Sequence, residues 1–234
     1  MSIAKTTIAT CVLGTSLLLN AKDVSANIAD YMQKEGRKDV NICRVIKDKD
    51  YVILHSSFTK DGVENVGFDV LLFDKGEIKK AWSNVSSKTP NNPSGRSQID
   101  GETQIKDKKK TEANKRIVKN FIQEVLLKHT GNMEDYIDKN TYIQHNSSIA
   151  DGISGLLGAL KYLGEHNIKL AFDKNVAVWG EGDFVLAVSE GEFGKMDANG
   201  KAQKVAYYDL FRLKNGKIVE HWDVIAPLKN QTSF

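Results

Sequence analysis

The sequence predicts an α+β protein of two units, the first a shortened copy of the second. Three observations support this fold class. The stretch LKNGKIVEHWDVIAP near the C-terminus has a counterpart, FDKGEIKKAWSNVSS, 140 positions upstream, so that Gly76 matches Gly216 and Trp82 matches Trp222. Segments rich in Val, Ile, Phe and Tyr, separated by turn-forming residues, precede both copies. A long amphipathic helix pattern opens the second copy but not the first.

Length and composition agree with two globular units. A chain of 234 residues can form one large domain or two small ones, and the repeat favours two. Hydrophobic content of 41% and charged content of 27% are ordinary for globular proteins, and a net charge of +3 argues for neither a nucleic-acid nor a membrane partner. Two cysteines, Cys11 and Cys43, form neither a disulfide framework nor a metal motif.

Residues 1–26 have the pattern of a secretory signal peptide. One early lysine is followed by an apolar run that ends at Leu19, and then by the small residues Val24-Ser25-Ala26. If the signal is real, the mature protein is periplasmic or secreted, and otherwise it is cytoplasmic. The alternative is an N-terminal helix that packs within the first unit.

The first unit is assigned to residues 27–100 and consists of one helix and four strands. The helix is ANIADYMQKEG, and the strand segments are DVNICRVI, DYVILHSSF, VGFDVLLF and EIKKAWSNV. Residues 87–111 contain two of the three prolines and many polar side chains, which is typical of a connection between units. We therefore place a linker at 101–111 and the second unit at 112–234.

The second unit reads as α-α-β-α-β-β-β-β. Its first helix, TEANKRIVKNFIQEVLLKHTG, carries an apolar stripe and ends near Gly131. A short strand, TYIQHN, follows, and Asp151 can cap a helix over 152–163. Four side chains of that helix are expected to face inward: Ile153, Leu156, Leu157 and Leu160. The last strands are predicted at 171–179, 183–193, 203–213 and 217–226.

The last hairpin carries ionisable side chains on one face. Alternation along a strand places His221 and Asp223 on the same side. A strict two-residue turn would put Asp209 opposite Trp222, whereas a three-residue turn with a bulge would put it opposite His221. We favour the second register, because it collects the ionisable groups on one face. That face also carries two aromatic side chains, those of Tyr207 and Phe211.

An imidazole between two carboxylates is a plausible acid–base centre. Carboxylates raise the pKa of a histidine and burial lowers it, so such a cluster can bring proton-transfer groups close to neutral pH. The alternative is a buried hydrogen-bond cluster with a structural role only. In the upstream copy Ala81 stands in place of His221 and Ser83 in place of Asp223, so the pair is absent there.

Three motifs in order resemble one protein family. YIQHN at 142–146, ADG at 150–152 and YYDLFRLKNGKIVEHWDVIAP at 207–227 resemble the SnoaL-like polyketide cyclase group. That group belongs to the nuclear transport factor 2 superfamily, with ketosteroid isomerase and scytalone dehydratase. The resemblance covers residues 111–227. It implies a curved antiparallel sheet wrapped around helices, a cone-shaped α+β barrel, preceded here by a truncated, degenerate repeat, and a homodimer packed through the sheet.

The same resemblance implies a site and a chemistry. His145, Asp209, His221 and Asp223 would be the catalytic residues. Tyr142 and Trp222 would frame the pocket, and Tyr207 and Phe211, which share the face of Asp209, are expected to bind the substrate with them. The implied function is a cofactor-free acid–base lyase or isomerase, similar to an aldol-type cyclase, acting on a small apolar carbonyl compound with no metal or organic cofactor.

Two other functions remain open. One is a non-catalytic binding module for a hydrophobic ligand or a protein partner. The other is metal-dependent chemistry at His145, His221 and Asp223, although their spacing matches no recognised ligand signature.

Overall fold

The computed structural model describes residues 21–228, with side chains from Val24 onward. The chain divides after Lys88 into two compact units. The predicted boundary after Asp100 was therefore placed too far along the chain. Most of the predicted signal peptide lies outside the described residues. None of the described helices is both long and apolar enough to cross a membrane.

The first unit is a four-stranded antiparallel sheet with one helix. Its elements are α1 (Ala21–Lys34), β1 (Lys38–Asp48), β2 (Tyr51–Lys60), β3 (Val63–Asp74) and β4 (Glu77–Ser87), and the strands follow in sequence order across the sheet. Helix α1 starts five residues before the predicted Ala26. The reason is an apolar stripe at intervals of four, Val24, Ile28 and Met32, each of which is buried in the core of this unit.

The second unit has the predicted element order, except that the second predicted helix is only a 3₁₀ turn at Met133–Asp135. Its elements are α2 (Thr111–Phe121), β5 (Ile143–Gln144), α3 (Gly152–Glu165), β6 (Ile168–Glu181), β7 (Phe184–Lys195), β8 (Gln203–Lys214) and β9 (Lys217–Pro227). Helix α2 continues as a π-helical turn over Ile122–Leu127. The sheet order is β5-β9-β8-β7-β6, with β5 parallel to β9 and the other pairs antiparallel. The α+β class is confirmed.

The core of the second unit lies between the sheet and its helices. Helix α2 contributes the predicted stripe, of which Val118 and Phe121 are buried against Phe211 and Val185. Helix α3 contributes less than predicted. Ile153 is buried and Leu156 partly so, but Leu157 is 52% and Leu160 37% exposed. The inward prediction for these two leucines was wrong, because α3 buries only one narrow edge.

The hairpin of β8 and β9 contains a two-residue turn and a bulge. Asn215 and Gly216 have φ of 52° and 78°, the positive values that a tight type I′ turn requires. Val219 is then skipped in the pairing and forms a β-bulge, which shifts the register by one residue. Neither predicted register is therefore correct. Beyond the bulge the Cα partners are Arg212–Glu220, Phe211–His221, Leu210–Trp222 and Asp209–Asp223.

The upstream hairpin has the same geometry. β3 and β4 are joined at Lys75-Gly76, Lys79 is skipped in the pairing, and Asp69 lies opposite Ser83. Each of these positions lies 140 residues before its counterpart in the second unit. The edge strands β1 and β6, each of which begins a run of four antiparallel strands, also have a matching irregularity, at Cys43 and at Val176. The hairpin therefore recurs in structure as well as in sequence.

The polar segment 89–106, which we call the strap, is bound to the second unit. The side-chain amide of Asn92 donates to the backbone oxygen of Gln144 at 2.7 Å. The indole Nε1 of Trp222 donates to the backbone oxygen of Asp100 at 2.9 Å. Composition predicted only a connection between the units here, with no contacts to either. The prediction failed because a few long-range hydrogen bonds, and not local apolar residues, hold the strap in place.

Candidate active site

Three ionisable side chains meet where β8 and β9 pair. Nε2 of His221 lies 3.2 Å from Oδ1 of Asp209. One nitrogen or oxygen atom from each of His221, Asp209 and Asp223 lies within 4.8 Å of the others. His221 and Asp209 are 8% and 5% exposed, while Asp223 keeps more of its surface accessible. The sequence prediction that these three residues share a face is confirmed.

Aromatic side chains form the apolar wall beside this cluster. Phe211 stacks on the imidazole of His221, with ring centroids 4.9 Å apart, and Phe121 of α2 meets Phe211 edge-on at 5.7 Å. Tyr207 stacks on Phe172 at 4.3 Å, and its hydroxyl donates to the backbone oxygen of Glu192 at 2.8 Å. Phe211 thus lies directly on the cluster, while the hydroxyl of Tyr207 is engaged by the sheet.

The YIQHN segment supplies Gln144 and Asn146 to the cluster. Oε1 of Gln144 lies 3.0 Å from Nδ1 of His221. The side-chain amide of Asn146 donates to both carboxylate oxygens of Asp223, at 3.0 and 2.8 Å. Sequence reasoning missed both residues. Strand alternation could have found them, since it puts Tyr142, Gln144 and Asn146 on one side of β5.

His145 lies on the other side of the sheet. Its Nε2 is 3.0 Å from Oε1 of Glu220, and its Nδ1 is 2.7 Å from a carboxylate oxygen of Asp100 in the strap. The ring stacks on Trp222, with centroids 4.6 Å apart and planes 9° from parallel. The structure therefore does not bring His145 and Trp222 to the His221 cluster, although the resemblance placed both there.

Burial and the two carboxylates set the pKa values in the cluster. Burial alone would lower the pKa of His221, but the hydrogen bond to Asp209 and the charges of Asp223 and Asp209 outweigh it and raise the pKa. Burial raises the pKa of Asp223, as does the charge of Asp209, against the opposing effects of His221 and Asn146. Both groups therefore hold a proton to higher pH than they would in water.

Tyr142 keeps its proton at any physiological pH. It is 4% exposed, and burial together with the charges of Asp223 and Asp209 raises the pKa of its hydroxyl far above the ordinary value. Nε2 of Gln144 donates to the Tyr142 oxygen at 3.0 Å. Tyr142 is therefore a neutral hydroxyl close to two carboxylates.

The same three residues are a possible cation site. Asp209, His221 and Asp223 could each offer one ligand atom. Most of these atoms are already hydrogen-bonded within the protein, and the exception is Oδ2 of Asp209, which is buried without a partner among the described residues. The alternative set with His145 is not assembled, because His145 lies across the sheet. The donor geometry thus favours proton sharing over metal coordination.

In the first unit, an arginine lies beside the aspartate that corresponds to Asp209. The guanidinium of Arg37 makes two hydrogen bonds to the carboxylate of Asp69, at 2.6 and 2.8 Å, and a third to Oγ of Ser83 at 2.8 Å. The side chains of Arg37 and Asp69 are 2% and 0% exposed. Asp69 is the counterpart of Asp209, and here a buried guanidinium neutralises it in place of an imidazole.

An antiparallel sheet closed by helices on one face, with an acid–base cluster on that face, defines the second unit as a protein of the nuclear transport factor 2 type. Residues 116–230, just under half of the chain, match the family model of the SnoaL-like polyketide cyclases. The strap and the whole first unit lie outside the matched residues.

Two solved structures are similar to this chain. A protein of unknown function with a cystatin-like fold from Xanthomonas campestris is 24% identical, with a TM-score of 0.40, over 48% of this chain and 90% of that one. TsrD from Streptomyces laurentii is 20% identical, with a TM-score of 0.32, over 48% of this chain and 88% of that one. The comparison with curated proteins gave no match.

Proposed function

We propose that the C-terminal unit is a cofactor-free acid–base lyase or isomerase, similar to an aldol-type cyclase, that acts on a small apolar carbonyl compound. The observation that carries this proposal is the His221–Asp209 pair at 3.2 Å, with Asp223 beside it and Phe211 stacked on the imidazole. The match of residues 116–230 to the SnoaL-like polyketide cyclase model supports a reaction of this type, since a polyketide cyclase moves protons next to carbonyl groups.

Asp223 is the proposed proton acceptor. It is the most accessible carboxylate of the cluster, so a ligand that enters along the apolar wall meets it first. Its raised pKa makes it a stronger base than an ordinary carboxylate. His221, held by Asp209, is the second acid–base group. Because its nitrogen lies within 4.8 Å of Asp223, it can return the proton at another position of the ligand.

Tyr142 is the proposed donor to the developing enolate oxygen. A negative charge that forms on the carbonyl oxygen requires a fixed hydrogen-bond donor in a site with little water. The Tyr142 oxygen accepts a bond from Gln144, and its own proton is donated to none of the described residues. His145, which the resemblance placed among the catalytic residues, lies on the opposite side of the sheet.

A non-catalytic binding module is the second candidate. It is favoured by the burial of His221 and Asp209, which leaves Asp223 as the main polar group that a ligand could touch. In that case the cluster would fix one oxygen of a hydrophobic ligand without proton transfer.

One experiment separates the two candidates. Native mass spectrometry of the purified chain identifies a copurifying ligand, and turnover and affinity are then measured for the wild type and His221→Ala. An enzyme loses turnover and keeps most of its affinity, whereas a binding module loses affinity. His166→Ala is the matched control, because His166 is exposed and stacks only on Tyr162. Loss of neither property would contradict both candidates.

We further propose that the first unit is a degenerate duplicate with a structural role. The shared turn, the shared bulge and the constant offset of 140 residues support duplication of the hairpin. Replacement of the imidazole by Ala81, and the salt bridge of Asp69 with Arg37, support the loss of acid–base chemistry there. Export and assembly as a homodimer remain proposals, and the mature mass and subunit count in the same mass spectra test them.

A further inference from the structure

We propose that Gln144 is a positioning residue whose side-chain amide fixes the tautomer of His221 and the direction of the Tyr142 hydroxyl. Its catalytic meaning rests on the proposed function, but the positioning itself can be measured without a substrate. Gln144 is 1% exposed, and it lies between the two groups that it orients.

The orientation of the amide follows from its backbone neighbours. One side-chain atom of Gln144 lies 2.9 Å from the backbone nitrogen of His145 and 3.0 Å from that of Asn146. Both nitrogens carry hydrogens and can only donate, so the atom that faces them must be the oxygen. If the amide were flipped, its NH₂ group would face the backbone N–H groups of His145 and Asn146, and three hydrogen-bond donors would point at one another. Oε1 is therefore fixed as the atom that faces His221.

This orientation determines which nitrogen of His221 is always protonated. Oε1 of Gln144 can only accept, so Nδ1 of His221, 3.0 Å away, must carry a hydrogen. The proton that comes and goes is then on Nε2, which faces Asp209 at 3.2 Å. Neutral His221 is consequently the Nδ1–H tautomer, and proton exchange is confined to the side of the ring that carries Asp209.

The other end of the amide acts on Tyr142. Because Oε1 is fixed, Nε2 of Gln144 faces the Tyr142 hydroxyl and donates to its oxygen at 3.0 Å. The Tyr142 proton must therefore point away from Gln144. One side chain thus sets the orientation of two proton-carrying groups of the site, His221 and Tyr142.

Gln144 is itself held on its backbone atoms. Its N–H donates to Oδ1 of Asp151 at 3.0 Å, and its carbonyl oxygen accepts from the side chain of Asn92 at 2.7 Å. Asn92 belongs to the strap, which precedes the residues that match the family. In this chain a segment outside the matched domain therefore helps to hold the positioning residue.

The test is nitrogen NMR of the histidine rings in the full chain. Long-range proton–nitrogen correlations report which ring nitrogen carries hydrogen, and His221→Ala identifies the His221 signals. At a pH above the pKa of His221, we expect the wild type to show Nδ1 protonated and Nε2 bare. Gln144→Leu removes the acceptor, so we expect this single-tautomer signature to be lost.

Gln144→Glu is the conservative variant. Its carboxylate still accepts from the two backbone nitrogens and from His221, so the Nδ1–H tautomer should be retained. Gln203→Leu, at an exposed position where β8 begins, is the matched control and should leave the spectrum unchanged. An Nε2–H tautomer in the wild type overturns the proposal, as does an unchanged tautomer in Gln144→Leu.

The wild-type and Gln144→Glu spectra decide the matter if Gln144→Leu does not fold. A protein with the predicted tautomer but no proton transfer would contradict the proposed function and leave the positioning role intact.

Discussion

Asp209 and Asp223 face each other across the last two strands because Val219 is an extra, bulged residue in β9. Without the bulge, one carboxylate would lie opposite the indole of Trp222. With it, two carboxylates lie on one face, with His221 diagonal to Asp209 and bonded to it. The bulge therefore assembles the acid–base cluster.

The first prediction concerns the pKa of His221. Asp209 raises it through both a hydrogen bond and its charge, while Asp223 raises it through its charge alone. Asp209→Asn and Asp223→Asn should therefore both lower the pKa of His221, and Asp209→Asn should have the larger effect. NMR titration of the His221 ring measures both shifts. Equal shifts, or a larger one in Asp223→Asn, would show that the hydrogen bond is not the main coupling.

The second prediction is a pH dependence of stability. The pKa of His221 is raised above its ordinary 6.5, so the folded state binds this proton more tightly than the unfolded chain does. Its stabilising effect is complete below 6.5 and is lost as pH rises through the raised value. The free energy of unfolding, measured by urea denaturation, should fall over that range. Asp209→Asn should flatten the fall, and an equally steep curve in this variant would contradict the assignment to His221.

The third prediction concerns the buried ion pair of the first unit. Arg37→Met leaves the carboxylate of Asp69, which is 0% exposed, without its guanidinium. Breaking a buried pair in this way costs about 3–5 kcal/mol of unfolding free energy. The double variant Arg37→Met, Asp69→Asn removes the stranded charge and should recover much of the loss. Lys79→Met, which breaks an exposed pair with Glu77, is the control. Comparable losses in all three variants would mean that charge burial is not the cause.

The fourth prediction tests whether Gln144 orients the Tyr142 hydroxyl or has a structural role only. In Gln144→Glu the new carboxylate has no hydrogen to give, so the Tyr142 hydroxyl would turn to donate to it. The enolate donor would then be lost, and turnover of the copurifying ligand should fall by about as much as in Tyr142→Phe. Full activity in Gln144→Glu together with low activity in Tyr142→Phe would contradict this account of Tyr142.

The fifth prediction concerns metal. If Asp209, His221 and Asp223 share protons and bind no cation, chelator treatment should change neither turnover nor the thermal midpoint. Zinc added to the chelated protein should leave both unchanged or lower the turnover by displacing the His221 proton. Restoration of activity by one divalent metal would instead favour a metal centre.

Much of the fold was predictable because its signals are local. Alternating apolar residues between Asn-Gly, Lys-Gly and Asp-rich turns define the strands, and the stripe of Val118 and Phe121 defines α2. Helix α3 was predicted less well, since an apolar residue such as Leu157 can lie on a helix without being buried. The strap was predicted only as a connection between units, because its contacts are made by single distant side chains such as Asn92.

The site was predictable in part, for physical reasons that differ from residue to residue. His221 and Asp223 share a face through simple alternation along β9, as predicted, whereas Asp209 joins them only through the register that the bulge sets. A bulge was predicted within the turn, but it lies at Val219, beyond a two-residue turn, since turn residues do not indicate where along a strand an extra residue is inserted. His145 is the histidine of the family-like motif, but alternation on β5 turns it away and presents Gln144 instead.

The central claim is that the His221 cluster moves a proton next to a carbonyl group. Deuterium exchange tests it most directly: the copurifying ligand is incubated with the chain in heavy water, and deuterium incorporation beside its carbonyl is followed by mass spectrometry. The account predicts rapid incorporation with the wild type and little above the uncatalysed rate with His221→Ala or Asp223→Asn. Incorporation at the uncatalysed rate with the wild type, while the ligand is bound, would contradict it and leave a binding module.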